Sequence, residues 1–121
     1  MNRRVVSEND VDVTVIHSDE VLIYDTQSAL DFIASVSYGE NCDRAVLNKA
    51  AIAEDVFVLS NGVAGDILQK FVNYSMKLAI HGDFNRYTSE PLKAFIYECN
   101  RGNQIFFVDT ERKAVERLIQ I

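Results

Sequence analysis

The sequence predicts a single α/β domain over residues 1–121. Its expected core is a mixed, mostly parallel sheet of about five strands with about four helices, in the order β-β-α-β-α-β-α-β-α. Three observations carry that expectation. Apolar and polar residues alternate over residues 11–16, then change to helical spacing from Thr26. Strand-like and helix-like stretches alternate from there on, which implies crossover connections and parallel pairing of the later strands. The chain has 121 residues, 48% hydrophobic, with one proline and five glycines, so its length suits one core and leaves no linker or low-complexity tail.

Each element has a local cause. RVVS (4–7) and VDVTVI (11–16) flank the polar Glu8-Asn9-Asp10, and Val11, Val13 and Val15 alternate with Asp12 and Thr14, which reads as a β-hairpin. VLIYD (21–25) is either extended or the approach to a helix. Through TQSALDFIASVSYG, Ala29, Leu30, Ile33 and Val36 recur at helical spacing, with Asp25 or Thr26 as N-cap and Gly39 as the stop. RAVLN (44–48) is a short strand. AEDVFVLSNG (53–62) has no clear period and suggests a short turn of helix before a longer one. In that longer helix Val63, Ile67 and Phe71 stand beside Ala64, Leu68 and Val72, a broad stripe that must face a sheet. MKLAIHG (76–82) is a strand. SEPLKAFIYECNRG is a helix with Leu92, Phe95, Ile96 and Cys99 on one face, Pro91 in its first turn and Gly102 at C′. QIFFVD (104–109) reads as a strand buried on both faces, and TERKAVERLIQI closes with a helix bearing Ala114, Val115, Leu118 and Ile119.

Charge and motifs exclude more than they identify. The net charge is −6, and residues 1–60 hold four Lys/Arg against eleven Asp/Glu. Such a surface repels phosphate backbones, so no nucleic-acid partner is expected. Charged residues interrupt every apolar run, which argues against a membrane span. Cys42 and Cys99, without CxxC spacing, and the absence of a signal segment point to the cytoplasm with reduced thiols. Two distant histidines and two distant cysteines make a poor metal set, and the chain has no GxxxxGK[ST], GxGxxG or GxSxG. No cofactor or metal is expected.

A site in such a fold belongs beyond the carboxyl ends of the parallel strands. That edge would collect Asn48 and Lys49, then His81, Gly82 and Asp83, then Asp109. The helix starts Ser60-Asn61-Gly62 and Thr88-Ser89-Glu90 would open on the same side, where free N–H groups can receive an anion. The same residue types also serve structure. Ser60, Asn61, Thr88, Ser89, Asp109 and Thr110 are ordinary caps, Gly82 suits a turn, and Asp83 can bond its own backbone two residues on. A histidine ending an aliphatic run, as His81 does, is more often a hydrogen-bonded wall residue than a base.

Through GVAGDILQKFVNY, GDF, FIYE and NRGNQIFF, across residues 60–109, the chain resembles a family of small, mainly bacterial proteins known as domain of unknown function 4180. The resemblance is looser in the N-terminal half. It implies one compact α/β domain and carries no established activity. Family members usually have an aliphatic residue at His81, a serine at Cys99 and often a basic residue at Ser75, which removes His81 and Cys99 from any shared catalytic role. Gly62, Asp83, Tyr87, Asn100 and Asn103 match the pattern, with Gly62 and Asn100 also suited to helix caps. In element order the chain is also similar to STAS domains, anti-sigma-factor antagonists in which a Ser or Thr at the start of the helix after the third strand can be phosphorylated. Ser60 stands near that place, behind the additional segment KAAIAEDVFVL.

Two functions are therefore expected in competition. The first is a small cytoplasmic, non-catalytic regulatory or protein-interaction module with Ser60 as its modification site. The alternative is a small-ligand-binding protein or enzyme, its site formed by Asp83, Asn61, Gly62, Tyr87 and Asn103. A homodimer through the aromatic-bearing third helix (Phe95, Tyr97) is compatible with both.

Overall fold

Asn9 and Asp10 take positive φ values of 53° and 63°, the pair that a two-residue type I′ turn requires. In the computed structural model, which describes all 121 residues, this turn joins β1 (Asn2–Glu8) to β2 (Val11–His17) as an antiparallel hairpin. Thereafter strands and helices alternate: α1 (Thr26–Gly39), β3 (Arg44–Asn48), α2 (Val63–Asn73), β4 (Lys77–His81), α3 (Glu90–Arg101), β5 (Ile105–Val108) and α4 (Glu111–Ile119). The sheet order is β1-β2-β3-β4-β5, with every pair after the hairpin parallel. The element order is the one the sequence predicts.

The period-two alternation sends successive strand residues to opposite faces. On one face Ile16, Leu47, Ile80 and Phe107 pack beneath α1, α2 and α3. On the other, Val13, Val15, Val46, Ala79 and Phe106 receive Ala114, Val115 and Leu118 of α4 alone. Three crossover helices therefore cover one face, and the last helix folds back across the other. No helix is long and apolar enough to cross a membrane.

The helix ends differ in detail from expectation. Asp25 caps α1 through a capping box with Ser28, but Gly39 lies within the helix and Asn41, at φ 51°, takes the left-handed position. Gly102 is the C-cap of α3 in an extended conformation (φ −94°), one place short of the C′ role. Between β3 and α2 the chain makes three short 3₁₀ turns, Lys49–Ala51, Glu54–Phe57 and Leu59–Asn61. Residues 21–25 approach α1 by bridging to this segment, Ile23 pairing with Ile52. β5 is buried on both faces, as expected, although it is an edge strand.

Candidate functional site

The parallel register sets Asn48 beside His81 and His81 beside Val108, so the carboxyl ends of β3, β4 and β5 form one row. Asn48 is buried and used structurally. Its amide accepts from Ser18 N–H at 2.9 Å and donates to Ser18 C=O at 2.8 Å, which continues the β2–β3 ladder by a side chain.

Lys49 turns back over Gly82. A Cβ at Gly82 would stand 2.6 Å from the Lys49 Cβ, so the close approach needs glycine there. The lysine ends in a polar cluster centred on Glu54. Lys49 Nζ donates to Glu54 Oε1 at 2.9 Å, Arg86 Nη2 donates to the same oxygen at 2.6 Å, and the Tyr87 hydroxyl donates to Oε2 at 2.9 Å. The ammonium also lies 5.0 Å from the Tyr87 ring centre and 5.4 Å from that of Phe57, and Arg86 stacks over Tyr87 at 5.3 Å. Phe57, Phe84 and Tyr87 floor the cluster.

This arrangement fixes charge. Burial pushes the Lys49 ammonium down, but hydrogen bonds and charge from Tyr87 and Glu54 outweigh it and raise its pKa. The Lys49 hydrogen bond, helped by Tyr87 and Arg86 against a smaller burial effect, holds Glu54 below the usual carboxylate value. Lysine and carboxylate are thus both driven away from neutrality, the opposite of what proton transfer at pH 7 needs. Chemically the cluster is a clamp that ties the 3₁₀ segment to the β4–α3 loop. Beside it runs an open cleft walled by Arg86, Tyr87, Thr88, Ser89, Pro91 and the exposed Ser60.

The other expected site residues do not converge here. Asp83 is exposed, and its Oδ1 accepts from Asn85 N–H at 3.0 Å, an Asx turn on its own loop. It lines a different hollow, with Ile96, Phe107 and Asp109. Asn61 accepts from Val63 N–H at 2.9 Å and donates to Asp55 C=O at 2.8 Å, while Gly62, at φ 78°, is the N-cap of α2. Ser60 therefore belongs to the last 3₁₀ turn and not to the start of α2. Asn103 precedes β5 at the opposite end of the sheet, where its C=O accepts from Lys77 Nζ at 3.0 Å. Asn100 caps no helix. Its amide accepts from Phe107 N–H at 2.7 Å and donates to Phe107 C=O at 3.1 Å.

His81 points to the α4 side, half-buried, with no protein partner for Nε2. Burial lowers its pKa, opposed by the Glu111 carboxylate and reinforced by the charge of His17. Burial, with the nearby Glu98, pushes the Cys99 thiol up to about 11, so it is no thiolate at neutral pH. No group of three or more His, Cys, Asp or Glu is arranged to hold a metal ion.

Sequence reasoning reached Lys49 and Tyr87 but missed Glu54 and Arg86. Glu54 lies in the aperiodic 3₁₀ segment and Arg86 in the loop after β4, so no spacing rule links them; only the turns of the backbone do. No curated protein and no solved structure matches the chain. Residues 8–118 match the model of a family described as a domain of unknown function (DUF4180), and the chain belongs to that family.

Proposed function

We propose that the domain is a small, non-catalytic regulatory or protein-interaction module whose contact region is the cleft beside the Glu54 clamp. One observation carries this: apart from His81, the polar side chains at the strand ends are bonded to one another or to nearby backbone. Lys49, Arg86 and Tyr87 converge on Glu54, Asn48 holds Ser18, and Asp83 holds its own turn. Groups engaged in this way must break the clamp before they can attend to a reacting substrate. A cytoplasmic setting goes with this function, since Cys42 and Cys99 are free and buried.

Ser60 supplies the regulatory element. It is exposed on the cleft wall that Arg86 also lines. A phosphate there would bring about −1.5 to −2 charges and compete with Glu54 for the Arg86 guanidinium. The switch would thus act through the clamp and not through the dipole of α2, which begins beyond Gly62.

The test uses the full chain as bait in a bacterial lysate, comparing the parent, Ser60→Ala and Ser60→Asp by quantitative mass spectrometry. A protein whose retention differs by about tenfold or more between the two variants is expected. Identical background proteins on all three baits would overturn the proposal. Thermal stabilisation by a protein-free metabolite extract, and not by protein, would favour the small-ligand alternative.

A further inference from the structure

The sheet has two edges, and the chain closes only one of them with a side chain. Along β5, the outward N–H and C=O of Phe107 are both taken by the Asn100 amide. At the other edge, β1 has β2 on one side and no strand on the other. It runs for seven residues, NRRVVSE, without proline or glycine. Because a two-residue turn makes Glu8 and Val11 a hydrogen-bonded pair, the even-numbered residues of β1 direct their main-chain groups at β2. Those of Arg3, Val5 and Ser7 face outward.

We infer that β1 docks antiparallel on β1 of a second copy of this chain, joining the two five-stranded sheets into one. This does not depend on the cleft at Glu54. A twofold axis normal to the sheet sets like faces side by side, so it must pass through one residue position of the strand. Centred on Arg4, it opposes two arginines. Centred on Val5, it sets Arg4 against Val6. Centred on Val6, it sets Arg4 directly opposite Glu8 of the second copy, twice over, with Val6 against Val6 between them. These are non-hydrogen-bonded positions, where side chains stand closest, while Val5 and Ser7 exchange main-chain hydrogen bonds on either side. Charge selects this register.

Arginines on an edge ordinarily discourage pairing. Here both are tied down: Arg3 donates to Ser35 Oγ at 2.7 Å and lies 3.4 Å from Glu40, and Arg4 lies 3.0 Å from Glu111. Glu8 stands 3.7 Å from Arg112, so each copy offers a band of alternating sign that its reversed twin complements. The pairing surface is then the strand edge and not the α3 aromatics. Phe95 packs against Phe107 at 6.3 Å, and Tyr97 carries Arg101 over its ring at 5.5 Å.

Sedimentation equilibrium of the full chain over a range of concentrations tests this, beside Val5→Pro. That substitution removes an N–H aimed away from β2 and leaves the hairpin ladder intact, which circular dichroism checks. A reversible dimer is expected for the parent, weakened roughly 10- to 100-fold by Val5→Pro. Independently of how that variant folds, Val6→Cys should give a disulfide-linked dimer under mild oxidation, and Val5→Cys should not. A parent that stays monomeric to high micromolar concentration overturns the inference. So does a dimer that a folded Val5→Pro leaves intact, or cross-linking by Val5→Cys in place of Val6→Cys.

Discussion

His81 stands in an environment that disfavours its charged form. It sits half-buried at the end of β4 with an unpartnered Nε2, facing Glu111 of α4 and His17 of β2. Burial depresses its pKa below the ordinary 6.5, so the unfolded chain binds a proton more readily than the folded one. Stability is then fully present above pH 6.5 and is lost as the pH falls through the folded value. Urea unfolding of the parent and His81→Leu between pH 7.5 and 5 checks this; the parent should lose stability on acidification while the leucine variant loses less. The sequence already set His81 apart, as a histidine ending an aliphatic run. It also anticipated the own-turn bond of Asp83, since an Asx turn needs only an Asp and the N–H two residues on. The clamp around Glu54 could not be read the same way, because its members come from a 3₁₀ turn, a strand end and a loop.

At the scale of elements, two asparagines complete the sheet. Asn48 extends the β2–β3 ladder through Ser18, and Asn100 closes the β5 edge through Phe107. The C=O of Asn100 is in turn held by Arg117, whose guanidinium stacks 4.5 Å over Phe106. Asn100→Ala would orphan the N–H and C=O of Phe107 together and should cost about 1–3 kcal/mol, with faster amide exchange confined first to β5. An unchanged Phe107 exchange rate would show that the edge is satisfied another way. The strands and helices themselves were legible, because burial on one face imposes a period on every long element. The stops were less so. Gly39 looked like the end of α1, yet Asn41 tolerates the left-handed conformation and holds that position. Residues 53–62 suggested a short turn of helix before a longer one, and the structure has two there, Glu54–Phe57 and Leu59–Asn61; the turn at Lys49–Ala51 was too short to show a period.

At the scale of the whole molecule, the sequential strand order leaves α1, α2 and α3 on one face and α4 on the other. That layering brings the polar residues of three connections to one end of the sheet, where they fasten the connections together. At that end the Glu54 clamp holds the 3₁₀ segment against the β4–α3 loop, beside the open cleft walled by Arg86, Tyr87 and Ser60. Glu54 is central to that state: its side chain is 59% exposed, but Lys49, its main partner, is only 14% exposed and would be left poorly paired without it. Equilibrium unfolding of Glu54→Gln beside the parent, at one fixed protein concentration so that any dimer linkage cancels, is the most direct test. A loss of about 1–2 kcal/mol is expected, allowing for solvent screening of the exposed carboxylate. No loss, or a gain in stability, would contradict the clamp and mark Glu54 as a carboxylate kept for binding or chemistry.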